Sequence, residues 1–224
     1  MREKPILFST PMVQALLNTK PFTWPAEPID PYKPFKSMTR RVIHPQPDKD
    51  EPNIVYTTIE GFQTAPPGEE IWAETEKGES VRLKPKYEKG DVLWVRETWS
   101  TMPYGQCNDG SVNLEYAYKA DGSLGNFPEI TIAKNLDKWH PSIHMPREAA
   151  RLFLEVKSVR VEQLQDISEK DAKAEGVGKL PPWAECGTFL RGFEALWDNL
   201  NAKRGYSWES NPWVFCYEFM RVEK

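Results

Sequence analysis

The sequence predicts an α+β protein built on a small mixed barrel or curled sheet, and three observations carry that prediction. Strand-like stretches dominate, above all the apolar runs Val92-Leu-Trp-Val95 and Trp213-Val-Phe-Cys216. Only three segments carry helical start signals and spacing. Twenty prolines in 224 residues demand rigid turns and irregular connections between short strands.

In chain order, residues 5–8 read as a short strand. Thr10-Pro11 starts a helix, with threonine as N-cap and proline at the first helical position. Met12, Ala15 and Leu16 follow at helical spacing, and the helix ends near Asn18-Thr19. From Pro21 to Phe35 the recurring prolines exclude helix and central strand, which leaves an extended, aromatic loop. Strand character resumes from Thr39 to His44. After a polar turn at 45–53, residues 54–60, 69–74 and 79–84 read as a meander of short strands. Gly90-Asp91 turns into a strand over 92–98, and residues 113–119 give another, closed by Asp121-Gly122. Pro128, Pro141 and Pro146 make 123–146 a loop. Residues 151–162 form a long strand. Ser168-Glu-Lys-Asp171 is a capping signature for a short helix ending at Gly176. Thr188 to Asn201 is the clearest helix, with Phe189, Phe193, Leu196 and Leu200 on one face. Trp213 to Val222 is apolar on nearly both faces, which places it inside the sheet.

A net charge of −4 excludes a protein that coats nucleic acid through bulk phosphate attraction. Local basic clusters survive the average: Lys33, Lys36, Arg40 and Arg41, then Arg82, Lys84, Lys86 and Lys89. Any nucleic-acid contact is therefore expected in a groove. No apolar run approaches a membrane span, and the first residues lack a signal-peptide core, so a cytoplasmic protein without a membrane partner is expected. Cys107, Cys186 and Cys216 form no CxxC pair, which argues against a disulfide framework or structural zinc, and Cys216 reads as a small buried hydrophobe. His140 and His144 have the spacing of a helical zinc motif, but Pro141 and Pro146 deny them a helix and no third ligand accompanies them. P-loop, GxSxG and dinucleotide fingerprints are absent, so neither cofactor nor metal is expected.

The residues that suggest chemistry sit in Lys36-Ser-Met-Thr-Arg-Arg41, joined by Glu175 from a distant helix. Lysine, hydroxyl and carboxylate are the parts of hydrolytic chemistry, while arginines suit a phosphate or a base edge. In a strand, Lys36, Met38 and Arg40 face one way and Ser37, Thr39 and Arg41 the other. Lys36 and Thr39 therefore meet only if the chain turns between them. On residue types alone, a charged and solvated strand edge is the simpler reading. Arg96 and Glu97 end a central strand and either point into a site or form a salt bridge. Trp94 and Trp99 either stack on a base or fill the core.

Seven stretches together carry a resemblance: Pro5–Leu17, Met38–Pro47, Lys89–Trp99, Tyr118–Gly122, Trp139–Arg147, Val159–Gly176 and Asn211–Val214. In these the chain resembles bacterial and phage proteins of the ASCH domain family, in particular a prophage-associated subgroup. The family has the PUA-like fold, a small mixed β-barrel flanked by short helices. The resemblance implies one domain over 1–224, with a proline-rich insertion at 21–35 and further insertions near 48–85 and 120–146. It implies a cleft that recognises a nucleobase in RNA, single-stranded nucleic acid or a nucleoside, with Arg40, Arg41, Arg96, Glu97 and Trp99 as ligand-binding residues. A small subgroup resembles this chain in a further way, as amidohydrolases of N4-acetylcytidine that use lysine, threonine and glutamate. Matched residue by residue, these are Lys36, Thr39 and Glu175. Some members have ribonuclease activity, and a phage accessory scaffold is the remaining alternative. Family members carry a Gly-Lys/Arg-Lys-Thr-x-Thr-x-Arg type motif directly after the first helix. Here residues 21–35 intervene, Ser37 replaces the first threonine, and Lys20 competes with Lys36 for the lysine position.

Overall fold

The computed structural model describes residues 2–19, 21, 27–30, 34–44, 46, 54–56, 71–74, 80–106, 112–121, 138–178 and 188–223. Along the chain run β1 (Glu3–Leu7), α1 (Thr10–Leu17), β2 (Met38–Val42), β3 (Ile54–Tyr56), β4 (Ile71–Glu74), β5 (Ser80–Leu83) and β6 (Val92–Arg96). They are followed by β7 (Trp99–Gln106), β8 (Val112–Tyr118), β9 (Phe153–Gln163), α2 (Glu169–Ala174), α3 (Phe189–Asn201) and β10 (Trp213–Val222). The class is α+β, with strands dominant and few helices.

Five strands form one mixed sheet in the order β1-β6-β9-β10-β2, in which only β1 and β6 run parallel. The meander β3-β4-β5 and the ribbon β7-β8 are separate antiparallel units. No closed barrel forms among the described residues, because β1 and β2 make no ladder with each other. Side chains from the β2 edge nevertheless reach the end of β1. Arg41 Nη2 on β2 donates to the Leu7 carbonyl at the end of β1 (3.1 Å), and Lys36 and Arg41 lie 5.3 and 5.6 Å from the Phe8 ring centre.

The apolar character of β10 on both faces follows from its position between two cores. Phe215, Tyr217 and Phe219 face the larger one with Ile6, Val13, Leu16, Leu93, Val95, Leu154 and Val156. Val214, on the opposite face, packs with Leu164, Ile167, Ala172, Phe193 and Trp197 under α2 and α3. Four details differ from the sequence reading. Ser9 rather than Thr10 is the N-cap residue of α1, since Pro11 falls within the first turn. The strand β7 was not expected; its ladder with β8 is irregular between Pro103 and Gln106. Along α3, Trp197 is buried with Phe193, whereas Leu200 is 53% exposed. The described part of 123–146 contains a 3-10 turn at Ser142–His144. Of the proline-rich insertion, residues 21, 27–30 and 34–35 are described. It is tied to the end of α1 by Asn18, whose Nδ2 donates to the Asp30 and Pro34 carbonyls (2.9 and 3.1 Å) and whose Oδ1 accepts from Asp30 N. Lys20, Lys33, Cys107 and Cys186 lie outside the described residues.

Candidate functional site

The seam between β1 and β2 opens into a cleft of about 480 Å³. Its walls are the end of β1 with Phe8, the strand β2, Lys86-Tyr87, and the C-terminal half of α3 through Arg204. Register decides which β2 side chains face where. Thr39 and Arg41 lie opposite Tyr217 and Phe215 and share their face of the sheet, while Arg40 lies opposite Cys216 and, across β10, Arg160.

Lys36 precedes β2 and is joined to Glu175, the C-cap residue of α2, by an isolated antiparallel bridge. Gly176 makes that junction possible. Its φ is +85°, and a Cβ there would stand 2.9 Å from Ala15 Cβ and 3.0 Å from Lys36 Cβ. Only glycine lets the end of α2 press this closely on α1 and Lys36. Ser37 N donates to the Ala174 carbonyl (2.9 Å) and Lys36 N to the Ala15 carbonyl (3.2 Å), which completes the anchor.

Lys36 is 2% exposed, and its ammonium donates to the Met38 and Glu175 carbonyls (both 2.7 Å) and to Glu175 Oε2 (3.0 Å). The other oxygen, Glu175 Oε1, accepts from Arg40 Nη1 at 3.0 Å. One carboxylate thus lies between two buried cations. Arg40 also donates through Nε to Glu162 Oε1 (2.7 Å) and through Nη2 to Asp171 Oδ2 (3.3 Å). Arg160 extends the network to Asp171, Glu162 and Glu218. Burial pulls the Lys36 pKa below its ordinary value, Glu175 opposes that pull, and Arg41 and Arg40 reinforce it. Thr39, 2% exposed, lines the cleft, and its hydroxyl makes no hydrogen bond to another described residue.

Lys36, Thr39, Arg40, Arg41 and Glu175 therefore share one cleft. Their exposures separate their possible roles. The Arg40 side chain is fully inaccessible and saturated with carboxylates, so it orients Glu175. Arg41 is exposed at the rim, with its guanidinium bonded to the Leu7 carbonyl and over the Phe8 ring.

Arg96, Glu97 and Trp99 lie elsewhere, and none of them lines this cleft. Arg96 donates to the Ile143 carbonyl and lies 5.3 Å from the Trp94 ring centre. Glu97, 1% exposed, accepts a bidentate pair from Arg151 (2.9 Å for each bond), which also pairs with Asp121 and lies over Tyr118 at 4.0 Å. Burial raises the Glu97 pKa, with the Arg151 bonds opposing. Trp99 stacks on His140 with ring centres 4.9 Å apart. These three residues brace the 138–150 segment against β6, β7 and β8. Sequence reasoning missed Phe8, Tyr87, Trp197 and Arg204 as cleft residues. Lys86 carried a signal in its basic cluster, but Arg204 follows a helix and had none. Among the described residues no group of three or more His, Cys, Asp and Glu side chains is placed to hold a metal ion.

Comparison with known proteins found no matching family model, no matching curated protein and no matching solved structure. No helix among the described residues is long and apolar enough to cross a membrane.

Proposed function

We propose that the cleft between β1 and β2 recognises a nucleobase-bearing ligand, as RNA, single-stranded nucleic acid or a nucleoside. In this reading the scaffold is an ASCH-type, PUA-like curled barrel whose open seam is the cleft. The observation that carries the proposal is the charge of the lining. Lys36, Arg40, Arg41, Lys86 and Arg204 line the cleft against one carboxylate, Glu175, which Lys36 and Arg40 already neutralise. Phe8, Tyr87 and Trp197 supply aromatic walls, and base–aromatic stacking contributes about 1–3 kcal/mol per base. The Thr39 hydroxyl offers both a donor and an acceptor to a base edge. A volume of about 480 Å³ suits a single nucleotide unit.

The test is fluorescence anisotropy with labelled single-stranded RNA and DNA, with free nucleosides as competitors. Binding is expected, weakened by Arg41→Ala and Thr39→Val. Absence of binding by the wild type at low salt to every one of these ligands removes the proposal. Shortening of the labelled RNA in the same assay would point instead to a ribonuclease.

A second reading, hydrolysis of an N4-acetylcytidine-type amide, is favoured by one observation: a buried lysine of lowered pKa in the same cleft as Thr39 and Glu175. In that mechanism a neutral Lys36 takes the Thr39 proton as the hydroxyl attacks the acetyl carbonyl and passes it to the N4 amine as the amide C–N bond breaks; water then hydrolyses the Thr39 acetyl ester to release acetate. Lys36 Nζ now spends its hydrogen bonds on Met38 and Glu175, so one of them must be released first. Acetate release by wild type, lost in Lys36→Ala, Thr39→Ala and Glu175→Ala, is the expected result under this reading. Lack of wild-type turnover removes it.

A further inference from the structure

We infer that the ligand of this cleft carries a terminal phosphate monoester, held at the mouth by Arg41, Lys86 and Arg204 while its base turns toward the floor. This rests on the nucleobase reading and narrows it from any nucleoside or strand to a nucleotide end.

Charge in the cleft divides with depth. Lys36, Thr39, Arg40 and Glu175 are between 2% and 4% exposed and form the floor. Their charges are closed within the protein: Glu175 accepts from both cations, and Arg40 is further held by Glu162 and Asp171. The floor therefore presents polar groups without an unpaired charge to satisfy. The mouth is different. Arg41, Lys86 and Arg204 are exposed, and each lines the same cavity. They come from three separate parts of the chain: β2, the connection between β5 and β6, and the 3-10 turn Ala202–Arg204 that follows α3. Convergence from three elements on one cavity is not what a solvated strand edge or helix face produces.

None of the three pairs with a described carboxylate. Arg41 donates one hydrogen bond to the Leu7 carbonyl and lies over Phe8, and Lys86 lies over Tyr87. Arg147, Arg151 and Arg160 are each bonded to carboxylates, whereas Arg96 and Arg221, like Arg41, donate to backbone carbonyls. In a chain with 33 acidic against 29 basic residues, three cations without an acidic partner among the described residues around one opening mark where an anion belongs. A phosphate monoester carries about −1.5 to −2 charges at neutral pH and three acceptor oxygens, against the single charge of a strand's phosphodiester. Three cations lining one opening fit the monoester better, and the arginines can bind it in bidentate fashion.

The experiment is titration calorimetry with the four nucleoside 5′-monophosphates and the four matching nucleosides, at low and high salt. At least one monophosphate is expected to bind roughly tenfold or more tighter than its nucleoside, an advantage of about 1.4 kcal/mol. Raising the salt should shrink that advantage. Lys86→Ala and Arg204→Ala, both at exposed positions, should remove most of it while leaving the thermal midpoint in place. Equal affinity for nucleoside and monophosphate overturns the inference and leaves the nucleobase reading standing. Binding of single-stranded RNA lacking a terminal phosphate, without binding of any monophosphate, also overturns it and leaves that reading in its RNA form. Failure of every ligand to bind overturns both.

Discussion

Glu175 accepts from Lys36 on one oxygen and from Arg40 on the other, so its removal leaves the buried Lys36 without its carboxylate and takes one of three carboxylates from Arg40. Breaking a buried pair from one side typically costs about 3–5 kcal/mol, because the remaining charge keeps its desolvation penalty. Glu175→Ala is therefore expected to destabilise by about that amount in urea unfolding, and a loss below about 1 kcal/mol would contradict the buried network. Lys36 gives this network a pH signature. Burial holds its pKa below 10.5, so between the two values the unfolded chain binds more protons there than the folded one. The contribution of Lys36 to stability accordingly rises with pH through that interval and is flat below it. Lys36→Met should remove the rise, read as urea midpoints across the alkaline range. The same slope in the variant would show that Lys36 is not the group responsible. At this scale the sequence showed the charges but not their pairing. Strand alternation set Arg40 apart from Thr39 and Arg41, as the register has it. Nothing in the local pattern revealed that Lys36 and Arg40 share a carboxylate 139 and 135 residues away.

The helices α2 and α3 set the position of Glu175 and the far wall of the cleft, and they are fastened to each other. Thr188 caps α3 by accepting from Arg191 N (3.2 Å), and Glu169 of α2 accepts from Phe189 N and Leu190 N (2.7 and 3.1 Å). Three N–H groups of the first turn of α3 thus find acceptors, two of them on the neighbouring helix. Glu169→Ala is expected to cost about 1–2 kcal/mol, as for loss of a good cap. It should also weaken ligand binding, since α3 carries Trp197 and leads into Arg204. Gly176→Ala is expected to be worse than a simple left-handed penalty of about 1 kcal/mol, because the new Cβ meets Ala15 and Lys36. Thermal unfolding checks both variants, and a Gly176→Ala midpoint equal to wild type would refute the close approach. The capped helices were legible because Ser168 and Thr188 are local signals. The strand β7 carried no such local signal, and its ladder with β8, irregular between Pro103 and Gln106, is supplied only by the folded chain.

Across the whole molecule, the decisive feature is that β1 and β2, the two ends of the five-stranded sheet, come close enough to frame one cleft. Strand positions were readable from composition and turns, as was an interior place for β10. Strand order was not, since β9 and β10 join segments far apart in sequence through pairings that no local pattern encodes. The aromatic packing around this frame has its own pH dependence. Burial pushes the Tyr87 and Tyr118 pKa values up to about 12 from 10.0, so the folded state keeps protons that the unfolded state releases. Stability from these groups is full below pH 10 and is lost as pH rises toward 12, opposite in sign to the Lys36 contribution. Tyr87→Phe, which loses the bond to the Pro5 carbonyl, should reduce that fall. The central claim is the location of the ligand. It is tested most directly by following backbone amide shifts of isotope-labelled protein during titration with single-stranded RNA and with nucleoside 5′-monophosphates. The account predicts shifts concentrated at Leu7-Phe8, Lys36–His44, Lys86-Tyr87 and Leu196–Arg204. Shifts centred instead on Arg96, Trp99 and His140, or none with any ligand, would contradict it.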